Sequence, residues 1–272
     1  MSHALRAPCG APPFLPATTT HVSELADRLR ETGLVALDGL GSVGGVVARS
    51  VVLGFAERIM EITAHRDSDP DGLTTLYDTR RHAKRTGYAG LTNRELAPHT
   101  ERSGLPRPPR LMLLVCANPA AQGGACLLTD GQAVHAELAE KHPEALDLLS
   151  TRHTAYFGGG DGHPTQIFTP HAEGRVSLRL RTDTLARWNP LVTPHLPLLR
   201  AVISRHQITL PLLAGQGYLL DNTRWLHARQ RFTGDRLCWR ALGEPHPAVL
   251  PLPMGFLPVP TGPQLPPTTE TS

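Results

Sequence analysis

Cysteine is scarce in this sequence, and its cysteines are far apart. The 272 residues contain four cysteines, at positions 9, 116, 126 and 238, and no Cys-x-x-Cys motif. Three of the four lie inside apolar, strand-like runs, which is typical of buried free thiols in a reducing compartment. We therefore predict core thiols without disulfide bonds, and a cytoplasmic location.

Signals for membranes and nucleic acids are also lacking. Residues 1–20 have no charged-then-apolar signal pattern, and no apolar run approaches the length of a membrane span. The net charge is +3, and the 27 lysines and arginines are scattered along the chain. This pattern gives little support to a nucleic-acid or membrane partner. A small-molecule partner is expected, and nothing in the sequence indicates the oligomeric state.

Two local runs lack a recognised ligand motif. Basic residues are densest at 80–85, which we interpret as a solvated surface, with a site for an anionic substrate group as the alternative. The glycine-rich run at 158–162 lacks the Gly-Lys-Ser/Thr ending of a phosphate-binding loop. We interpret this second run as a flexible loop near a cavity.

Hydrophobic spacing predicts two helices after a Pro-, Ala- and Thr-rich, loose lead-in at residues 1–20. The first helix begins with Ser23 as its N-cap and ends at Gly33. The second helix is predicted over residues 46–65, where apolar residues recur at helical spacing. These helices indicate a small helical layer that precedes a larger unit.

Short apolar runs dominate the rest of the chain. Gly, Pro and Asp clusters separate these runs, as is typical of short strands. Two helical insertions are predicted, over residues 131–150 with Asp130 as the cap and Pro143 as a restart, and over residues 194–206. Many strands with few helices favour an antiparallel sandwich or barrel over a parallel sheet. The predicted strands are 34–37, 111–116, 126–128, 154–157, 176–180, 208–210, 218–220 and 237–240.

Composition also changes near the C-terminus. Nine prolines follow residue 244, and few residues there are able to pack. We predict a single domain over residues 21–244 and an extended or disordered Pro-rich tail over residues 245–272.

A possible metal site begins at residues 96–101. In an extended strand, residues i and i+2 point to the same face, so His99 and Glu101 can present an imidazole and a carboxylate to one point. One further histidine would complete the facial triad of two histidines and one carboxylate, which leaves about three of six positions open on Fe(II). Considered alone, a His-x-Glu motif also fits an ordinary surface strand.

The second candidate segment contains His227 and Arg240. His227 follows an apolar strand and a polar turn, and Arg240 lies thirteen residues later in the apolar run 237–242. A guanidinium in a core strand is costly unless it pairs with a bound anion or an internal carboxylate. Its bidentate geometry suits the distal carboxylate of 2-oxoglutarate. A structural salt bridge to Asp or Glu is the alternative.

These two segments, with the Gly-Gly run at 123–131 between them, resemble the taurine dioxygenase/clavaminate synthase-like family. The motifs occur in the family's order and at its spacing, and the resemblance covers roughly residues 88–243. It implies a mainly β protein with helical insertions. The implied core is a double-stranded β-helix, also described as jelly-roll or cupin-like, flanked by the N-terminal helices.

The resemblance also implies the roles of individual residues. His99, Glu101 and His227 take the positions of the Fe(II) ligands, and Arg240 takes the position that grips 2-oxoglutarate. The family usually has Thr, whose hydroxyl helps to hold the same carboxylate, where this chain has Cys126. Because a thiol is a much weaker donor, we expect co-substrate binding to depend more heavily on Arg240.

The implied reaction is hydroxylation of an unactivated C–H bond of a small molecule, with O₂ consumed and 2-oxoglutarate converted to succinate and CO₂. Halogenating members of the family replace the metal-binding carboxylate with a small residue, so Glu101 favours hydroxylation. Desaturation or cyclisation by the same machinery stays open. A Zn or Mn hydrolase or isomerase on the same barrel also stays open, as does an inactive binding module.

Four residues are candidates for substrate contacts. Tyr88 belongs to a predicted lid segment at 87–91, and Asn93 follows it shortly before the metal motif. Arg229 points near the iron if the strand continues past His227. Asp183 resembles a position where amino-acid hydroxylases of the family hold a substrate amine. Each of the four also fits a structural polar residue. An amino-acid-like compound or a specialised metabolite is the substrate that the resemblance suggests.

Overall fold

The computed structural model describes residues 10–43, 46–81 and 87–260. Within that part of the chain, the α-helices are α1 (Val22–Thr32), α2 (Arg49–Ile59), α3 (Gly131–Lys141), α4 (Pro143–Ser150) and α5 (Leu196–Arg205). The strands are β1 (Phe14–Pro16), β2 (Leu34–Asp38), β3 (Ser42–Val43), β4 (Val46–Val47), β5 (Met60–Ile62), β6 (Thr74–Leu76), β7 (Leu96–His99), β8 (Leu111–Asn118), β9 (Gln122–Gly123), β10 (Cys126–Asp130), β11 (Ala155–Phe157), β12 (His163–Thr165), β13 (Phe168–Pro170), β14 (Val176–Leu178), β15 (Ala186–Trp188), β16 (Gln207–Leu210), β17 (Gly217–Asp221), β18 (Trp225–Arg229), β19 (Phe232–Thr233) and β20 (Leu237–Pro245). None of the helices found in these residues is long and apolar enough to cross a membrane.

The two N-terminal helices differ from their predictions at their ends. His21 rather than Ser23 is the N-cap of α1, and no side chain caps that end. The helix stops at Gly33 as predicted, where φ is +70° and the Gly33 N–H donates to Leu29 O at 2.9 Å.

Helix α2 is shorter than the predicted 46–65 at both ends. Val46–Val47 pairs with β3, and Met60–Ile62 pairs with β20, where Ile62 lies opposite Gly243. Strand pairing therefore overrode the helical spacing of the sequence, with β3 as the partner at one end of the segment and β20 as the partner at the other.

The two later helical insertions follow the sequence closely. Asp130 caps α3 by accepting a hydrogen bond from the Gln132 N–H at 2.9 Å, and α4 restarts at Pro143. Helix α5 lies within the predicted range 194–206.

Two sheets form the core of the molecule. The larger has seven strands in the order β1-β2-β17-β8-β20-β5, with β6 also paired to β20. The smaller has four strands in the order β16-β10-β18-β7. Apart from the parallel pair β1–β2, the pairings in both sheets are antiparallel. The fold is a double-stranded β-helix with flanking helices, as the resemblance implied.

Strand β8 shows why the apolar run at 111–116 is continuous. Leu111, Leu113 and Val115 pack against the N-terminal helices, whereas Met112 and Leu114 face the interior shared with the smaller sheet. Both faces of the strand are thus buried, so its sequence does not alternate between apolar and polar residues.

The first and last described segments pack more closely than the sequence suggested; residues 1–9 of the predicted lead-in and 261–272 of the predicted tail lie outside the described residues. Phe14–Pro16 pairs with β2, so the lead-in is not loose throughout. In the C-terminal stretch, Leu250 and Phe256 are buried, and Phe256 forms a β-bridge with Val176. The expectation of few packing residues after 244 is corrected as far as Phe256. Proline prevents regular pairing there, but apolar side chains still enter the core.

We expect Phe256→Ala to lower the free energy of unfolding by about 3–5 kcal/mol, because it empties a fully buried ring site. Urea unfolding followed by circular dichroism measures this change. The neighbouring Leu257, which is 52% exposed, provides a matched control. Leu257→Ala should stay within about 0.5 kcal/mol of the parent. Equal effects of the two substitutions would contradict a packed C-terminal stretch.

Candidate metal and co-substrate site

Strand pairing brings the three predicted metal ligands together. His99 ends β7 and lies directly opposite His227 of β18, and Glu101 follows two residues after His99. The two imidazole rings have centroids 4.1 Å apart. One ligand atom from each of the three side chains lies within 4.8 Å of the other two. Two imidazoles and one carboxylate at these separations match the facial triad that suits Fe(II).

The surrounding backbone orients these ligands. The His99 ring nitrogen Nδ1 is 2.9 Å from Ala97 O, so Nε2 is the nitrogen left for a metal. Asn222 holds Glu101 from both sides of its backbone. Its Oδ1 accepts from the Glu101 N–H at 2.6 Å, and its Nδ2 donates to Glu101 O at 3.0 Å. Sequence reasoning missed Asn222, although its place in the polar turn before His227 marked it.

Charge and burial give each ligand the protonation state that a metal requires. Burial alone would raise the pKa of Glu101, but Arg240 and the neighbouring histidines outweigh it and lower the pKa to about 2. Burial lowers the pKa of both His99 and His227. At neutral pH the donor set is therefore one carboxylate and two neutral imidazoles, which fits a divalent cation.

A cavity of about 480 Å³ opens beside the triad, between the two sheets. The predicted co-substrate residues Arg240 and Cys126 line it, as do residues from the lid segment 87–91. Gly158 and Asp161 of the glycine-rich run also line it, as expected for a loop near a cavity. The volume falls in the range of small-molecule sites.

Arg240 has an internal carboxylate as its partner. Its Nη1 donates to Glu101 Oε2 at 2.5 Å, while its Nε is buried without a hydrogen-bond partner. The salt bridge that the sequence left open is thus present, and the partner is the predicted metal ligand itself.

Sequence reasoning missed one buried arginine that borders the cavity. Arg236 is 6% exposed and lines the cavity, and its Nη2 is 3.8 Å from Cys126 Sγ. Its guanidinium lies over the Phe232 ring at 5.8 Å. Across the described ranges, no ion pair joins Arg236 to a carboxylate. The sequence contained a signal for Arg236, since it immediately precedes the apolar core strand β20 that contains Arg240.

The four predicted substrate residues have different surroundings. Arg229 lines the cavity, but its guanidinium donates to the backbone carbonyls of Ala89, Gly90, Thr92 and Arg94, so it ties down the lid segment. Asp183 lines the cavity and binds Arg181 through both carboxylate oxygens, at 2.6 and 2.8 Å.

Tyr88 and Asn93 differ from each other in position. Tyr88 lines the cavity, with the Arg66 guanidinium 4.9 Å from its ring centroid. Asn93 is exposed and is not among the residues that line the cavity. Its backbone carbonyl accepts from the Phe232 N–H at 3.1 Å. Tyr88 therefore borders the cavity, whereas Asn93 does not, and a substrate role for either residue stays a prediction.

Comparison with known families defines the class. A family model described as taurine catabolism dioxygenase TauD, TfdA family matches residues 7–242. The match covers most of the chain, so the chain belongs to this family.

Solved structures at low sequence identity share the fold. An asparagine oxygenase in complex with Fe(II), 2S,3S-3-hydroxyasparagine and succinate has a TM-score of 0.66 at 15% identity, covering 82% of this chain and 77% of that chain. The non-heme iron oxygenase OrfP, in complex with Fe, succinate and (3S)-hydroxy-L-Arg, has a TM-score of 0.62 at 13% identity, covering 82% and 80%. PvcB from Pseudomonas aeruginosa has a TM-score of 0.60 at 15% identity, covering 85% and 82%.

Family and site agree on the activity class. The protein is an Fe(II)- and 2-oxoglutarate-dependent dioxygenase that uses O₂ as its second co-substrate. The Zn or Mn hydrolase and isomerase left open by the sequence gain no support from these comparisons.

We expect His227→Ala to weaken Fe(II) binding by more than about 100-fold, because loss of an outer-sphere partner alone costs about 10- to 100-fold. Asn222→Ala should fall within that smaller range, since it leaves the three ligands in place and removes the hydrogen bonds of Asn222 to the Glu101 backbone and to Pro109 O. Anaerobic equilibrium dialysis with Fe(II) measures both changes. His21→Ala, at an exposed position far along the chain from the triad, is the control. Unchanged affinity in His227→Ala would rule out His227 as a ligand.

Proposed function

We propose that this dioxygenase hydroxylates a C–H bond of a small anionic molecule, and that an amino-acid-like carboxylate is its substrate class. The observation that carries the proposal is one cavity lined by the triad, by the buried Arg236 and by the partly buried Arg240, whose side chain is 12% exposed. When bound, Fe(II) would couple the oxidative decarboxylation of 2-oxoglutarate to oxidation of the substrate. The tasks left to the protein are to hold two anions beside the metal and to exclude water.

Arg236 is the candidate that the geometry favours for the distal carboxylate of 2-oxoglutarate. A buried guanidinium without a carboxylate partner is costly, and a bound anion would remove that cost. Arg236 lies beside Cys126, the position implied for that carboxylate by the family resemblance. Arg240 instead already pairs with Glu101. The assignment of Arg240 to the co-substrate stays a prediction, and Arg236 competes with it.

With Arg236 assigned to 2-oxoglutarate, Arg240 is free to bind the anionic group of the substrate. When Glu101 also binds the metal ion, its carboxylate neutralises the charge of the Arg240 guanidinium less completely. Arg240 would then bind a second anion. His65 lines the same part of the cavity, and its Nδ1 accepts from the Asp67 N–H at 3.0 Å. Burial, followed by the charge of Arg240, lowers the pKa of His65 to about 4, so it stays neutral and offers its Nε2–H as a donor.

The carboxylate of an amino acid is an anion of the kind that Arg240 and His65 would bind. The structures of the asparagine oxygenase and of OrfP contain hydroxylated amino acids, which motivates the choice of class. Asp183 gives weaker support as a partner for the amine. Because Arg181 engages both of its carboxylate oxygens, a substrate amine would have to compete with that pair. Small carboxylates without an amine therefore belong in the same screen.

Apolar side chains close the inner end of the cavity. Leu76, Met112 and Leu114 line it, and Met112 and Leu114 are buried. Such walls keep water from the metal and favour oxidation of the bound substrate.

We place the protein in the cytoplasm, because the described cysteines Cys116, Cys126 and Cys238 are free and buried thiols.

The proposed function is tested in two stages. Anaerobic protein is first mixed with Fe(II) and 2-oxoglutarate, and the visible charge-transfer absorption of the chelate is recorded. Free amino acids and other small carboxylates are then screened for O₂-dependent release of succinate above the substrate-free rate. Absence of the chelate absorption would favour an inactive binding module. Chelation without stimulation by any carboxylate would overturn the proposed substrate class.

We expect Arg236→Gln to weaken binding of 2-oxoglutarate at least about 30-fold, because truncating one partner of a buried charge pair costs about 2 kcal/mol or more. Titration of the chelate absorption measures the affinity. Arg231→Gln removes an exposed arginine five residues earlier and should leave the affinity unchanged. A large loss in Arg240→Gln combined with no loss in Arg236→Gln would return the role to Arg240.

A further inference from the structure

A buried tyrosine, Tyr218, borders the end of the cavity where Arg236 lies. Tyr218 is 1% exposed, yet it lines the cavity together with Cys126 and Arg236. It belongs to β17 in the larger sheet, whereas Cys126 belongs to β10 in the smaller sheet. Side chains from the two sheets therefore meet at this point. Neither the triad nor the substrate end of the cavity uses the Tyr218 hydroxyl.

Strand register fixes the direction of the Tyr218 side chain. Tyr218 pairs with Leu114 of β8, and Leu114 pairs with Arg240 of β20. Directly paired residues of an antiparallel sheet share a face, so these three side chains form one row on the inner face. The hydroxyl is thus held by a rigid central strand, which limits the entropy lost when it binds a ligand.

The hydroxyl has a poor partner in the protein itself. Its hydrogen bond is with the thiol of Cys126, and sulfur is a weak acceptor. Buried Tyr hydroxyl groups normally find an oxygen or nitrogen partner, because leaving one without such a partner is costly. Arg236 contacts the same sulfur at 3.8 Å. Two donors therefore converge on one weak acceptor at the wall of the cavity, where a carboxylate would be a stronger acceptor for both.

We propose that Tyr218 donates a hydrogen bond from its hydroxyl to the distal carboxylate of 2-oxoglutarate, beside Arg236, and so replaces the hydroxyl that Cys126 does not provide. This inference rests on the proposed function. A carboxylate has two oxygens with four lone-pair sites, enough for a guanidinium and a phenol together. The hydroxyl donor then comes from the larger sheet rather than from the strand that carries Cys126.

The charges at this end of the cavity agree with one bound anion. Burial raises the pKa of Tyr218 well above its usual value, so the phenol stays a protonated donor. Burial likewise raises the pKa of Cys126 to about 11, which keeps its thiol neutral. Arg236 is then the one full charge among these three groups, and a single carboxylate balances it.

The test is Tyr218→Phe, which removes the hydroxyl and keeps the ring. Anaerobic Fe(II)-loaded protein is titrated with 2-oxoglutarate, and the chelate absorption gives the affinity. A hydrogen bond to a charged group contributes about 1.5–3 kcal/mol, so we expect affinity to fall about 10- to 100-fold. Tyr156→Phe is the matched control, because the Tyr156 hydroxyl donates to Gly160 O at 3.2 Å and Tyr156 does not line the cavity.

A second ligand isolates the distal carboxylate. The probe 2-oxopentanoate keeps the chelating keto acid of 2-oxoglutarate and lacks the distal carboxylate. The parent and Tyr218→Phe should bind this probe with equal affinity. An equal loss of affinity for both ligands would show that Tyr218 acts through packing, and would overturn the inference.

A second variant keeps the inference testable if Tyr218→Phe unfolds. Cys126→Ser places a hydroxyl at the original position in a nearly isosteric side chain. If Tyr218 already provides the donor, Cys126→Ser should change the affinity for 2-oxoglutarate less than about 3-fold. A gain of about 10-fold would show that the donor was missing, and would overturn the inference.

The outcomes separate this inference from the proposed function. A chelate that forms in the parent and is unaffected by Tyr218→Phe refutes the role of Tyr218 alone. Failure of the parent to form the chelate refutes both.

Discussion

The pairing of β7 with β18 is the constraint on which the site depends. It places His99 opposite His227 across two neighbouring strands, and the chain then continues directly to Glu101. Because Asn222 fastens Glu101 to the turn that leads into β18, both segments of the triad are held by one local network. The larger sheet adds the opposite wall with β8, β17 and β20. Metal ligands and the ligand-binding wall thus come from different sheets, and the cavity exists only because the two sheets face each other.

The cavity is also bordered by three arginines with little exposure to solvent. Arg229, Arg236 and Arg240 all border one cavity, and each has a different solution to its burial. Arg229 donates to backbone carbonyls at and just after the lid segment, and Arg240 pairs with the carboxylate of Glu101, but the Nε of each has no hydrogen-bond partner. Arg236 forms no ion pair within the described residues. A guanidinium buried without an ion pair costs stability in the free protein, and an anion bound to it would offset that cost. A ligand that binds only the folded state raises the free energy of unfolding, and at concentrations above Kd this increase grows with the logarithm of the ligand concentration.

The sequence predicted the triad, the mainly β fold and the helical insertions, because each leaves a local signature. The two-residue spacing of His99 and Glu101 predicted that they lie near one another, although β7 ends at His99 and Glu101 follows in a turn. The Asp130 cap and Pro143 marked the helices. Prediction from the sequence failed where residues distant in the chain determine the local structure or the contacts of a side chain. The ends of α2 became strands through pairing with β3 and β20. The partner of Arg240 and the surroundings of Arg236 depend on residues more than a hundred positions away, which no local pattern reveals.

The C-terminal stretch bears on where this enzyme can be shortened. Arg110 donates to the carbonyls of Leu252 and Pro253 and also contacts Asp221, while the Gly255 N–H donates to Thr223 Oγ1. Asp221 and Thr223 flank Asn222, the residue that fastens Glu101. A chain ending at residue 244, where composition alone would set the boundary, would therefore lose the outer support of the metal-binding turn. The proline-rich stretch belongs to the catalytic unit as far as residue 257, although it contributes no residue to the triad.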